Sequence, residues 1–283
     1  MAPVGQIFMG WQTTVARPSK KPEWIIRKEQ ERKGDASPSL WLFGIHAVRD
    51  ALNNPARKKL RLMVTKNAAD RLAEAIKSSG IEPEISDPRR FTPPIDAQSV
   101  HQGAALEVEP LNWGSVSELC APRDDNPLIL LLDRVTDPHN VGAILRSAEV
   151  FGARAVIGPH RHSAPETGAL AKTASGALER QPYQRVPNLA NAMNALREMG
   201  YLIIGLDGEA DEDLDTALSG FPPAPLALAL GAEGPGLREL TRKNCHKLAK
   251  IPAAGSFGSL NVSNAAAVSL YAAVQVRRTK GST

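Results

Sequence analysis

From Pro127 onward the chain alternates short, almost wholly apolar runs with longer segments of mixed character. PLILLLD (127–133), ARAVIG (153–158), YLIIGLD (201–207), PLALALG (225–231) and KLAKIP (247–252) read as strands. NVGAILRSAEVFGA (140–153), PNLANAMNALREMG (187–200) and GLRELTRKNC (236–245) carry helical periodicity. Strands without a polar face, separated by helices, predict a parallel sheet covered on both sides. Residues 40–110 predict a smaller α/β unit. IHAVRDALNN is helical, KLRLMVT (59–65) a strand, AADRLAEAIKSSG (68–80) a helix stopped by Gly80, and ALEVE (105–109) another strand. Between the two units, LNWGSVSELCAPRDDN (111–126) has the Pro, Asp and Asn content of a linker.

The last apolar stretch differs from the others. SFGSLNVSNAAAVSLYAAVQV (256–276) opens as a Ser/Gly/Asn loop and continues as a helix whose polar residues between Ala265 and Val276 are only Ser269 and Gln275. A helix apolar nearly all round must be buried on most sides, and a second copy of the chain is one way to do it. The run is about 15 residues long, below the roughly 20 needed to span a bilayer. No membrane role is expected.

Composition narrows the choice. With 283 residues, 42% hydrophobic and 23% charged, the chain can bury a core and divide into domains. The net charge of +4 suits a polyanionic partner. Residues 1–39 hold seven Lys/Arg against four Asp/Glu, show little periodicity and read as a poorly ordered basic extension; 278–283 form a basic tail. Cys120 and Cys245 lack ligand spacing and read as free thiols of a reducing, cytoplasmic compartment. The histidines form no metal cluster, so no metal is expected.

In open α/β sheets, ligands bind beyond the carboxyl ends of the strands. Three loops there have unusual compositions. In LLDRVTDPHNVGAILRSAEVFGA (131–153), Pro138 fixes a turn and Asn140 can cap the next helix. Arg146 lies six residues on, about 120° around a helix of 3.6 residues per turn. The two could share a pocket only through the length of the arginine. In ALALGAEGPGL (227–237), a Gly-rich turn holds one carboxylate, Glu233, but matches neither G-x-G-x-x-G nor G-K-[ST]. The third loop is SFGSLNVSN, where Gly255 and Gly258 permit close backbone approach and Asn261 or Ser263 can cap the helix that follows.

Together, DPHNVGAILRSAEVFGA, LGAEGPGL and KIPAAGSFGSLNVSNAA resemble, in order and spacing, the motifs of the SpoU (TrmH-like) branch of the SPOUT RNA 2′-O-methyltransferases. FGIHAVRDAL (43–52) and SVHQGAALEVEP (99–110) resemble the N-terminal substrate-binding domain of that family, similar to the ribosomal protein L30e fold. The resemblance implies a small L30e-like α/β domain followed by a SPOUT α/β trefoil-knot domain (127–277) with a mainly parallel sheet. It implies a homodimer, S-adenosyl-L-methionine as cofactor and RNA as partner, with 23S rRNA the nearest likeness and no DNA. By position, Gly231, Ile251 and Leu260 match the cofactor contacts, while Asn140, Arg146, Glu233, Ser259 and Asn261 match the functional residues. Asn264 departs from the family, where a small apolar residue is frequent.

The implied reaction moves a methyl group from a sulfonium to a ribose 2′-oxygen, which requires positioning and removal of a proton from a weakly acidic hydroxyl. The family gives Arg146 a base-like role. A guanidinium is normally protonated, so its expected contribution is to stabilise the developing alkoxide and a neighbouring phosphate. Glu233 is expected to hold the loops together, and Asn140 to orient Arg146 or the ribose. Arg57, Lys58, Lys59 and Arg61 are candidate RNA contacts of the N-terminal unit. A tRNA ribose methyltransferase and a non-catalytic RNA-binding assembly factor on the same fold stay open.

Overall fold

The computed structural model describes residues 39–96, 99–123, 126–254 and 260–280. The N-terminal extension expected over residues 1–39 and the loop residues Gly255, Gly258 and Ser259 lie almost wholly outside them; of these only Ser39 is described.

The N-terminal part is a four-stranded sheet, β1 (Leu40–Phe43), β2 (Lys59–Thr65), β3 (Pro83–Ser86) and β4 (Ala104–Val108), in the order β1-β4-β2-β3. Only β2 and β3 run parallel. Helix α1 (Ile45–Asn53) buries Ile45, Val48 and Leu52, as its periodicity predicts. The helix expected over 68–80 is broken at Leu72 into α2 (Lys66–Arg71) and α3 (Ala73–Ser79), with Gly80 as the left-handed stop.

The linker segment is partly ordered. Ser115 and Glu118 form a reciprocal capping box that starts α4 (Val116–Cys120) and sinks Cys120 into the core. Burial pushes both cysteine thiols up to about 12.

The C-terminal sheet has six strands, all parallel: β5 (Leu128–Asp133), β6 (Ala155–Pro159), β7 (Tyr183–Val186), β8 (Leu202–Leu206), β9 (Leu226–Gly231) and β10 (Lys247–Ala249). Their order is β10-β8-β9-β5-β6-β7, so β9 and β5 are central. Alternate residues of β5 serve the two faces. Ile129 and Leu131 pack towards α7 (Leu189–Glu198) and α4. Leu128, Leu130 and Leu132 join the larger core with α5 (Pro138–Val150), α6 (Gly168–Ala174), α8 (Leu214–Ser219) and α10 (Val262–Lys280). Helix α9 (Glu239–Asn244) lies between β9 and β10. The elements β1, β3, β7, α6 and α8 are additions to the sequence reading.

The larger core runs without interruption from Leu42 and Val48 into the C-terminal sheet. Gly168 makes the seam possible: a Cβ there would stand 2.4 Å from both the Trp41 carbonyl and the Phe43 ring, so α6 can meet β1 only with glycine. Beside it, Arg57 is 2% exposed. Its Nη2 and Nε donate to the two oxygens of Glu179 at 2.7 and 3.0 Å, and its Nη1 to Glu166 at 2.6 Å and to the Glu109 carbonyl at 2.9 Å. Asn54 Nδ2 also donates to Glu179 at 2.9 Å.

Arg57 is therefore no RNA contact; it ties the two sheets together from inside. Desolvation opposes its charge, but Glu179 and Glu166 outweigh it and hold the guanidinium above its ordinary value. Burial pushes Glu166 above the usual carboxylate range, with Arg57 only partly offsetting it. Lys59 is half-buried and donates to the Asn54 carbonyl at 2.7 Å. Lys58 and Arg61 remain at the surface, paired with Glu109 and Glu84.

Replacing Arg57 by alanine strands two buried carboxylates and is expected to cost about 3–5 kcal/mol in urea unfolding. Without the arginine, Glu166, which burial already holds above the usual carboxylate range, keeps its proton to higher pH when folded than when unfolded, so stability falls as pH rises through the folded value. The variant should be less stable near neutrality than in mild acid. Unchanged stability at both would contradict the interlock.

Candidate active site

The loops after β5 and β9 lie side by side because those strands are paired through six residues, Leu128–Asp133 against Leu226–Gly231. Asp133, at the carboxyl end of β5, is fully buried. Its carboxylate accepts from the Arg238 backbone N–H at 2.9 Å, Arg238 Nε at 2.7 Å and Thr241 Oγ1 at 2.7 Å. One strand end thus pins the far side of the Gly-rich loop that leaves its neighbour. The sequence reading passed over Asp133, although a carboxylate closing so apolar a strand needs partners.

The Gly-rich loop folds back on itself. Ala232 and Gly236 form an isolated bridge, and a Cβ on Gly231 would stand 2.1 Å from the Gly236 carbonyl carbon. Glycine is demanded here by backbone against backbone. The hairpin lifts Glu233 at its tip into solvent.

Helix α5 starts two residues earlier than expected. Asp137 is its cap, accepting from the His139 N–H at 2.9 Å, and Pro138 takes the first helical position, where no N–H is needed. Asn140 is thereby released from capping and reaches across. Its Nδ2 donates to Glu233 Oε1 at 3.4 Å, and its Oδ1 accepts from Asn261 Nδ2 at 2.9 Å. Asn261 Nδ2 also donates to Glu233 Oε1 in a short hydrogen bond. Asn261 Oδ1 accepts from the Ser263 N–H at 2.9 Å at the start of α10. One carboxylate and two amides therefore join three loops whose residues are 28 to 121 apart in sequence.

Arg146 stands apart from this cluster. It is exposed on α5, one turn before Val150, and makes no hydrogen bond or ion pair with the described residues. The expectation that Asn140 orients Arg146 is replaced by a clamp of Asn140 on Glu233 and Asn261. Ile251 is half-buried against the larger core, and Leu260 is 49% exposed immediately before the clamp residue Asn261. The described residues hold no group of three His, Cys, Asp or Glu side chains placed for a metal.

A cradle of one carboxylate and two amides, joining three loops, is equipped to position a polar substrate rather than to supply a nucleophile. Comparison with known proteins agrees. Residues 127–271 match the SpoU rRNA Methylase family, and 41–114 match a domain described as RNA 2′-O ribose methyltransferase substrate binding. A protein of Photobacterium profundum, named 23S rRNA (guanosine-2′-O-)-methyltransferase RlmB, is 41% identical over 244 residues, covering 84% of this chain and 98% of the relative. A Pseudomonas putida protein of the same name is 38% identical over 245 residues, 84% of this chain and 97% of its own. The crystal structure of the SpoU methyltransferase AviRb from Streptomyces viridochromogenes in complex with AdoMet superposes with a TM-score of 0.72 at 26% identity, covering 89% of this chain and 94% of that one. With its three motif loops joined at Glu233, this chain belongs to the SpoU rRNA methylase family.

Proposed function

We propose that the protein is an S-adenosylmethionine-dependent ribose 2′-O-methyltransferase acting on a guanosine of 23S rRNA. The observation that carries this is the Asn140–Glu233–Asn261 clamp, which turns three separate loops into one polar site. The names of relatives about 40% identical over nearly their whole length support the substrate. The reading places the protein in the cytoplasm. No helix among the described residues is long and apolar enough to cross a membrane. Family membership also supports the trefoil knot.

The residues at the candidate cofactor positions fit the cofactor. Leu260 offers exposed apolar surface, Ile251 a half-buried wall, and Gly231 a side-chain-free strand end. S-adenosylmethionine, when bound, supplies an activated methyl group on a sulfonium. Asn140 and Asn261, oriented by Glu233, would fix the ribose edge, and Ser259 belongs to the same loop. Arg146, with no carboxylate partner of its own among the described residues, is left to meet the alkoxide that develops as the hydroxyl loses its proton.

The protein acts as a homodimer. Helix α10 buries Val262, Ala266, Leu270 and Ala273 but exposes Asn264, Val268 and Tyr271 along one stripe, and Tyr271 meets Phe151 edge-on at the end of α5, where Val150 is 78% exposed. A second copy docked on this stripe would cover it and lie next to Arg146. Asn264, the departure from the family, heads the stripe instead of the core.

Labelled methyl donor incubated with unmodified 23S rRNA and a tRNA pool should yield 2′-O-methylguanosine from the rRNA alone; label in tRNA would overturn the substrate. In sedimentation, Tyr271→Glu should turn a dimer into a monomer that keeps its native circular dichroism, because within one chain the side chain is 54% exposed. A wild-type monomer would contradict the interface.

A further inference from the structure

An open cleft of about 390 Å³ lies beside the clamp, between the loops after β5, β6 and β9. It shares Ala232 and Gly236 with the hairpin that carries Glu233. Its polar lining is Arg134, Thr136, His162 and Arg238, and no carboxylate lines it among the described residues. Arg238 is preset: Asp133 holds its Nε at 2.7 Å, while the side chain stays 48% exposed. Arg134 makes no hydrogen bond or ion pair with the described residues.

Backbone conformation supports a built site. Arg134 and His162 have φ of 64° and 60°, two of the four described non-glycine residues in the left-handed region, and both line this cleft. L-residues with side chains rarely adopt that region, and such positions gather at ligand clamps. A glycine at 134 would hold the turn more easily than the arginine that stands there. Burial first, and the Arg185 guanidinium second, hold the nearby His160 imidazole below its ordinary range.

We infer that the Arg134–His162–Arg238 cleft seats a backbone phosphate of the substrate RNA, next to the nucleotide presented to the Asn140–Glu233–Asn261 clamp. This rests on the RNA reading given above. Two guanidiniums, an imidazole and a hydroxyl without an opposing carboxylate match a phosphodiester. The site positions the strand and carries no base preference.

Arg134→Gly is the informative variant, because glycine suits φ of 64° and the fold should keep its melting temperature. Arg238→Ala would also strip Asp133 of a partner and report on folding. Binding of a 23S rRNA fragment is measured by fluorescence titration over a range of salt concentrations, without methyl donor. Arg134→Gly should bind roughly tenfold more weakly at low salt, with the slope of log affinity against log salt reduced by about 0.7–0.9. Binding of S-adenosylmethionine alone should not change. Equal RNA affinity and salt slope for wild type and variant would overturn the subsite, as would a wild-type protein that binds no RNA. If the wild type binds RNA, the variant loses the slope, and yet no methyl is transferred, the subsite stands and the methyltransferase reading fails alone.

Discussion

Three polar loops must be held within hydrogen-bond reach of one another while staying open to a large substrate, and the Glu233 carboxylate meets that constraint. It is exposed, yet its Oε1 accepts from side chains on both other loops. An exposed hydrogen bond alone is worth little, about 0.5–1.5 kcal/mol net. Its effect comes from what stands behind each partner. Asn140 sits in the first turn of a helix capped by Asp137, Asn261 caps the longest helix, and Glu233 rides a hairpin that Gly231 and Gly236 close tightly.

The rigid parts below the clamp follow the same logic. Asp133 transmits the position of the central strand to the base of the Gly-rich loop, with three donors on a fully buried carboxylate. Further away, Arg57 fixes the N-terminal sheet to the C-terminal one through Glu166 and Glu179. A buried ion cluster of this kind contributes less to net stability than a well-packed apolar seam would, but it fixes one relative orientation. With a domain that matches a substrate-binding family on one side and the motif loops on the other, a fixed orientation is the useful property.

The sequence made the central sheet legible because β5, β8 and β9 are apolar on both faces, as strands of a parallel sheet covered on both sides are. It made the three loops legible as motifs. What it hid was pairing at a distance. Arg57 looks like the first residue of a basic run, Arg57, Lys58, Lys59, and its carboxylate partners lie 109 and 122 residues on. Asp133 meets Arg238 and Thr241 across 105 and 108 residues. The short strands β1, β3 and β7, of four residues each, carry too little periodicity to stand out. Two local signals were readable and passed over: the Ser115–Glu118 capping box and Asp137 immediately before Pro138.

The clamp implies that Asn140 and Asn261 act as a unit, and a double-mutant cycle on methyl transfer tests this most directly. Asn140→Ala, Asn261→Ala and the pair would be compared by kcat/KM on the same rRNA fragment. A shared clamp predicts that the double variant is little worse than the worse single one, a coupling of about 0.5–3 kcal/mol. Losses that add in full would mean that the two amides serve separate ends and that Glu233 does not unite them.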